Sequence, residues 1–288
     1  MASLKKRLKA VIMLIRPPYW LMTGGLSVLT IITLRRGMLE ASDAMSLALV
    51  VLSAICISSG GFAFNDYIDQ ESDAIVKKNR PIPSQTLAPW EALVTAVILF
   101  TIGLAASITI NWLCFAIALM DMILLVAYSK VIKKHAGFLG SFLMGLLIGT
   151  SFVYGEAAIY GTITITSFSL SFMSMGSIGG NVLRDVLSLE GDKKAGYTTL
   201  AAKRGTEFAT KIGAIFFLLN VLGSPIPYLV DAVSYAYLIP IVIWDIILVV
   251  SGVSLLKNQN IEAVKKHERL VTRTMILIPI ALIAGALA

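Results

Sequence analysis

Seven of the chain's 17 acidic residues stand in two short runs. The first reads Asn65-Asp66-Tyr67-Ile68-Asp69-Gln70-Glu71-Ser72-Asp73, and the second Arg184-Asp185-Val186-Leu187-Ser188-Leu189-Glu190-Gly191-Asp192. On a continuous helix Asn65, Asp69 and Asp73 recur every four residues and share a face, and Asp66 falls within the same arc of about 100°. Asp185 and Asp192 are seven apart and share a face if Gly191 does not end the helix first. Carboxylates packed this closely repel one another, and a bound cation is the natural compensation. Carboxylate and amide oxygens suit magnesium or calcium, and magnesium typically takes few carboxylates together with phosphate oxygens and water. Two such runs facing each other would clamp a metal-bridged diphosphate, which stabilises a leaving group carrying several negative charges. Either run alone reads equally well as a solvated helix end. Two of them, at equivalent places in the chain, argue for a site.

The elements that must position these acids are membrane spans. Of 288 residues 57% are hydrophobic and 14% charged, with a mean hydropathy of +0.83, which is too apolar for a water-soluble domain. Apolar runs long enough to cross a bilayer fall at 11–33, 44–64, 92–110, 112–129, 137–155, 162–182, 212–230, 233–256 and 271–287, giving nine predicted spans. Thr109-Ile110-Asn111 marks the turn between the third and fourth, and Ser224-Pro225-Ile226-Pro227 with Asp231 separates the seventh from the eighth. With the N-terminus inside, alternate loops collect 22 of the 24 Lys and Arg residues, leaving Arg35 and Arg36 outside. That bias supports nine spans, a cytoplasmic N-terminus and cytoplasmic acidic loops at 65–91 and 183–211. It also accounts for the net charge of +7 with no nucleic-acid partner. The basic, apolar N-terminus lacks a small-residue cleavage site and reads as a retained first span. Cys56 and Cys114 lie in apolar runs and read as buried packing. His135 and His267 stand alone in basic loops and read as solvated. No Ser-His-Asp, zinc or nucleotide-loop pattern competes, and no protein partner is evident.

Asn65-Asp66-x-x-Asp69-x-x-x-Asp73 followed by Asn79-Arg80-Pro81-Ile82-Pro83-Ser84 resembles the signature of the UbiA-type intramembrane prenyltransferases. Arg16-Pro17, Tyr128-Ser129 before a basic loop, and Glu190-Gly191-Asp192 with Gly196 and Thr199-Leu200 extend the resemblance along the chain. The resemblance implies an all-α, polytopic fold: a single domain over 1–288 with nine transmembrane helices around a central, lipid-open cavity. It implies Mg2+ as cofactor, with Asn65, Asp69, Asp73, Asp185 and Asp192 as metal ligands and Asp66 in the same catalytic set. Arg80, Lys130 and Lys133 are the implied diphosphate contacts. Tyr128, Asn181 and Ser188 complete the substrate-binding candidates. Ser188 and Asn181 depart from the common pattern, which has Asp at the first position and, in archaeal lipid-forming members, Arg at the second. Tyr19 stands where many members have Asn.

The implied chemistry has two stages. Metal and basic side chains draw off the diphosphate of an allylic donor, and a nucleophile then attacks the first prenyl carbon. The expected partners are geranylgeranyl diphosphate, a lipophilic acceptor and membrane lipids. Geranylgeranylglyceryl phosphate, on the way to archaeal ether lipids, is the favoured acceptor. An aromatic quinone precursor or a chlorophyll-type acceptor is the alternative. A cation or metabolite transporter is the reading from another class. Asp121 and Asp245 lie deep in predicted spans, as cavity-lining or helix-contact residues, whereas the acid runs sit at the membrane edge rather than at a transporter's midplane.

Overall fold

The computed structural model describes residues 4–288, and these form helices and turns without strands. Helix α1 (Leu4–Ile15) stops at Arg16, whose backbone is left-handed with φ 50°. Pro17 and Pro18 follow and offer no N–H to continue an α-helical ladder. A 3-10 turn over Pro17–Tyr19 and a π turn over Leu21–Gly25 lead instead into α2 (Leu26–Leu34). The predicted first span is therefore two helices.

Helix α3 (Asp43–Ile68) continues with one kink into α4 (Gln70–Val76). Helices α5 (Pro89–Ile110) and α6 (Trp112–Ala127) part at Asn111, as the turn signal requires. The Asn111 side chain accepts from Cys114 N at 2.8 Å and donates to the Ala157 carbonyl at 2.8 Å, which caps α6 and pins the turn. A π turn carries α6 into the short α7 (Lys133–His135). Gly137, at φ 58° and ψ −117°, then reverses the chain into α8 (Phe138–Tyr160), a conformation that only glycine adopts readily.

Helices α9 (Ile165–Ser171) and α10 (Met175–Leu187) replace the predicted sixth span. The loop predicted at 183–211 is itself largely helical, with α11 (Leu189–Lys194) and α12 (Leu200–Arg204). Helix α13 (Thr206–Gly223) ends at the predicted proline break. One turn, α14 (Ile226–Leu229), then precedes α15 (Leu238–Lys257). Helices α16 (Ile261–Thr274) and α17 (Leu277–Leu287) run nearly end to end, so the last helical stretch begins ten residues before the predicted 271.

Among the described residues, seven helical stretches are long and apolar enough to cross a membrane: Asp43–Ile68, Pro89–Ile110, Trp112–His135, Phe138–Tyr160, Thr206–Leu229, Tyr235–Lys257 and Ile261–Leu287. The α9–α10 rod falls outside this set because five serines and three glycines dilute its apolar residues. Those small residues are where other helices come close. A Cβ on Gly179 would stand 2.6 Å from the Gly213 carbonyl of α13, so the two backbones touch, as small residues permit in membrane helices. Gly155 of α8 likewise meets the Ser27 carbonyl of α2. Two hydrophobic clusters result. One holds Ala10 to Ala158 and the other Phe152 to Leu282, with α8 contributing to both. Cys56 and Cys114 are buried as expected. His267 is not solvated. It is buried on α16, with its two ring nitrogens 3.1 and 2.9 Å from Ser251 and Ser254 Oγ of α15, because the predicted basic loop is in fact a helix packed on α15.

Candidate active site

Both acid runs fold the same way. The backbone ladder passes Asn65, Asp69, Asp73 and Lys77 through successive bonds of 2.9, 2.8 and 2.7 Å, with a kink at Asp69 (φ −86°, ψ 8°). In the second run it passes Arg184, Ser188 and Asp192 through bonds of 2.9 and 3.0 Å, with a kink at Ser188 (φ −98°, ψ 4°). Gly191 does not end this helix. Aligned on their kinks, Asp66, Asp69 and Asp73 correspond to Asp185, Ser188 and Asp192. Ser188 thus occupies the middle position of a repeated three-plus-four spacing.

The two runs differ in how their charge is met. Asp66, Asp69 and Asp73 are 3%, 1% and 3% exposed, and none of them lines the main cavity. Protein cations cover them. Arg16 donates to Asp66 at 2.5 Å, Arg80 donates to Asp66 and Asp73 at 2.6 Å each, Lys77 stands 3.4 Å from Asp73, and Lys133 pairs with Asp69. Arg80 arrives there because Pro81 and Pro83 prevent α4 from continuing and the chain folds back over its own end. Burial, and after it the Arg80 charge, hold the Lys77 ammonium below the ordinary lysine value. One carboxylate oxygen, Asp69 Oδ1, is buried with no hydrogen-bond partner among the described residues.

Asp185 and Asp192 line the cavity and have no ion pair among the described residues. Ser141 donates to Asp185 at 2.6 Å, and Ser188 donates to Asp192 at 2.6 Å. The uncompensated charge lies here, not in the first run.

Lys133 joins the two halves. Its ammonium pairs with Asp69, lies 4.4 Å from the centre of the Tyr197 ring, and lines the cavity beside Asp185 and Asp192. Tyr197 in turn bonds Ser72 of α4 at 2.7 Å, and burial raises its phenol above the ordinary tyrosine value. Thr198 N donates to the Lys134 carbonyl at 3.1 Å, and Lys203 donates to the His135 carbonyl at 2.7 Å. Three polar loops converge by these bonds.

The expected metal set is not preassembled. Among the described residues no three of His, Cys, Asp and Glu are grouped to hold one ion, because basic side chains have filled the space between the acids. Asn65 instead donates to Ser129 Oγ at 3.5 Å. Of the two candidate lysines, Lys133 reaches the acids, whereas Lys130 is exposed and sits 5.8 Å from the Phe64 ring centre. Tyr128 and Asn181 line the cavity.

That cavity has a volume of about 340 Å³. Its polar mouth carries Arg16, Lys133, Arg184, Asp185 and Asp192, and Met22, Ile57, Leu125, Met144 and Ile148 are among its apolar walls. Asp121 lines it too, accepting from Thr150 at 3.0 Å. Asp245 lies elsewhere, bonded by Ser224 at 2.5 Å between α13 and α15. Sequence reasoning noted Arg16 only as part of a motif and missed Ser141, Tyr197 and the cavity position of Arg184. For Arg16 the signal was present, since an arginine before two prolines must leave the helix. Ser141 and Tyr197 carry no local signal.

The sequence profile of the UbiA prenyltransferase family matches residues 14–272. A digeranylgeranylglyceryl phosphate synthase from Natronomonas pharaonis is 32% identical over 82% of this chain and 84% of its own length. A solved structure of digeranylgeranylglyceryl phosphate synthase superposes with a TM-score of 0.83 at 29% identity, covering 98% of this chain and 99% of that one. A UbiA homologue from Archaeoglobus fulgidus, bound to DMAPP and Mg2+, shares the fold with a TM-score of 0.68 at 17% identity, covering 95% and 98% of the two chains. With the paired acid runs and the apolar helices that carry them, these matches show that this multi-pass membrane protein belongs to the UbiA prenyltransferase family.

Proposed function

We propose that the protein transfers the geranylgeranyl group of geranylgeranyl diphosphate to geranylgeranylglyceryl phosphate, forming an ether-lipid precursor at the cell membrane. The observation that carries this reading is the pair of equally kinked acid runs joined by Lys133 at the mouth of one partly apolar cavity. The name of the Natronomonas relative supports the choice of acceptor. The chain acts as one domain of nine spans, with α1–α2 and α9–α10 completing the seven longer stretches. Its cavity opens to lipid, and its N-terminus and acid runs are cytoplasmic.

Magnesium fits the residues present. Asp69 has an unpartnered buried oxygen, and Asp185 and Asp192 lack cationic partners. These three would hold the ion, with Asn65 and Asp73 beside them, and phosphate oxygens and water would supply the remaining ligands. When bound, magnesium draws negative charge from the diphosphate as it departs. The chain's own cations do the rest. Arg80 and Lys133 exchange their carboxylates for diphosphate oxygens, which frees Asp69 and leaves Asp66 to Arg16 and Asp73 to Lys77. Arginine's planar fork suits phosphate oxygens. Tyr128 and the apolar walls exclude water from the allylic carbon. The acceptor hydroxyl attacks that carbon, the carbon–oxygen bond to diphosphate breaks, and the hydroxyl proton is released.

The test is to incubate purified protein with geranylgeranyl diphosphate, Mg2+ and a panel of acceptors, and to identify the product by mass. Digeranylgeranylglyceryl phosphate, formed with Mg2+ and not in excess chelator, is the expected product. Turnover of only an aromatic acceptor would overturn the acceptor assignment, and full turnover in chelator would overturn the diphosphate clamp.

A further inference from the structure

Three cationic side chains line the cavity: Arg16, Lys133 and Arg184. The first two are committed, Arg16 to Asp66 and Lys133 to Asp69. Arg184 is not. Its Nε donates to the Gly180 carbonyl one turn back, at 3.3 Å, and lies 3.7 Å from Glu268, beyond hydrogen-bond distance. Its two terminal nitrogens have no acceptor among the described residues. The bond to Gly180 folds the side chain back along α10, and Asn181 lines the same cavity. A half-exposed guanidinium with open terminal nitrogens, in one cavity with an amide, suits a tetrahedral dianion.

Resting on the acceptor proposed above, we infer that Arg184, with Asn181 one turn before it, holds the phosphate of the prenylglyceryl phosphate acceptor. An acceptor phosphate must be kept apart from the donor diphosphate, because both are highly negative. Arg80 and Lys133 serve the donor side, and Arg184 stands on the opposite side of Asp185 along α10 from Asp192. Arg184 is a specificity residue in this assignment. It selects phosphorylated acceptors over the corresponding alcohols.

The experiment measures KM for each substrate in wild type, Arg184→Ala, Arg184→Lys and Glu268→Gln, with geranylgeranylglyceryl phosphate and with its dephosphorylated alcohol. Arg184→Ala should raise the KM for the phosphorylated acceptor by roughly ten- to a hundredfold, the worth of a charge-assisted contact, and leave the donor KM within about twofold. Arg184→Lys should recover part of the loss. Wild type should handle the alcohol as poorly as Arg184→Ala handles either acceptor. Glu268→Gln separates binding from architecture, since it breaks the α10–α16 pair and leaves the guanidinium in place. If Glu268→Gln reproduces the loss, Arg184 only anchors α16 and the inference fails. A rise in donor KM, or an unchanged acceptor KM, overturns it equally. If wild type prenylates only acceptors without phosphate, the functional reading itself is at fault and the subsite falls with it.

Discussion

Asp66, Asp69 and Asp73 are buried carboxylates held by arginine and lysine, and such pairs are costly to leave half made. Replacing Asp69 with Ala strands the Lys133 charge, so its effect on turnover mixes chemistry with folding. Asp192, whose carboxylate is bonded among the described residues only by Ser188, is the cleaner position to test. Ser188 is the informative departure from the family pattern. Its hydroxyl donates to Asp192 at 2.6 Å and offers one neutral hydrogen bond at the position that corresponds to Asp69 in the first run. Ser188→Ala should lower turnover about fivefold, the equivalent of about 1 kcal/mol. Ser188→Asp should be tolerated and should tighten the magnesium dependence of turnover. A Ser188→Ala variant as inactive as Asp192→Ala would make the hydroxyl itself a ligand.

At the scale of elements, the site depends on two kinked helix ends and one loop between them. α3–α4 and α10–α11 each present acids on both sides of a bend at the middle position, and the Lys133 segment is clasped by Thr198 and Lys203 from the other side. The placement of α10 relies on contact without side chains. Gly179 meets the Gly213 carbonyl, where an added Cβ would stand 2.6 Å from backbone. Gly179→Ala must push α10 and α13 apart, at a cost of about 1–3 kcal/mol. Thermal unfolding of the purified variant in detergent should show that loss, together with a weakened Mg2+ dependence because the second acid run moves with α10. By contrast Gly196→Ala, where no atom lies within 4 Å, should strain a positive-φ turn without crowding any helix.

For the whole molecule the governing feature is charge asymmetry about the membrane. Twenty-two of 24 basic residues fall on one predicted side, with Arg35 and Arg36 on the other. Arg35 bonds Asp43 at 2.9 Å, so part of that outer pair is neutralised within the fold. The proposed orientation places every group of the reaction at the cytoplasmic surface, where a phosphorylated, water-facing headgroup has access while both prenyl chains stay in apolar surroundings. Cysteine introduced at position 36 should react with an impermeant maleimide in intact cells, and cysteine at 193 should react only after permeabilisation. The native Cys56 and Cys114 are buried and should stay silent. The reverse labelling pattern would invert the topology and place the acid runs outside.

Hydropathy, the spacing of the acids and the punctuation by Asn111, Pro81 and Pro225 are local properties, and they suffice for a helical membrane protein with two acid-bearing helix ends. The kink positions follow the same ladder the spacing predicts. What local properties cannot express is which charges neutralise which. Asp66 and Arg16 are fifty residues apart, and so close a pair exists only once α3 packs against the break at Pro17. The α9–α10 rod reads as weakly apolar because its serines and glycines serve contacts with neighbouring helices rather than with lipid. The acid run that looked most in need of a cation is covered by the protein's own side chains, and the second is left open. Such a division depends on distances of a few ångströms between segments far apart in the chain. Coulomb energies in a low-dielectric interior change steeply over those distances, so the tertiary structure alone decided it.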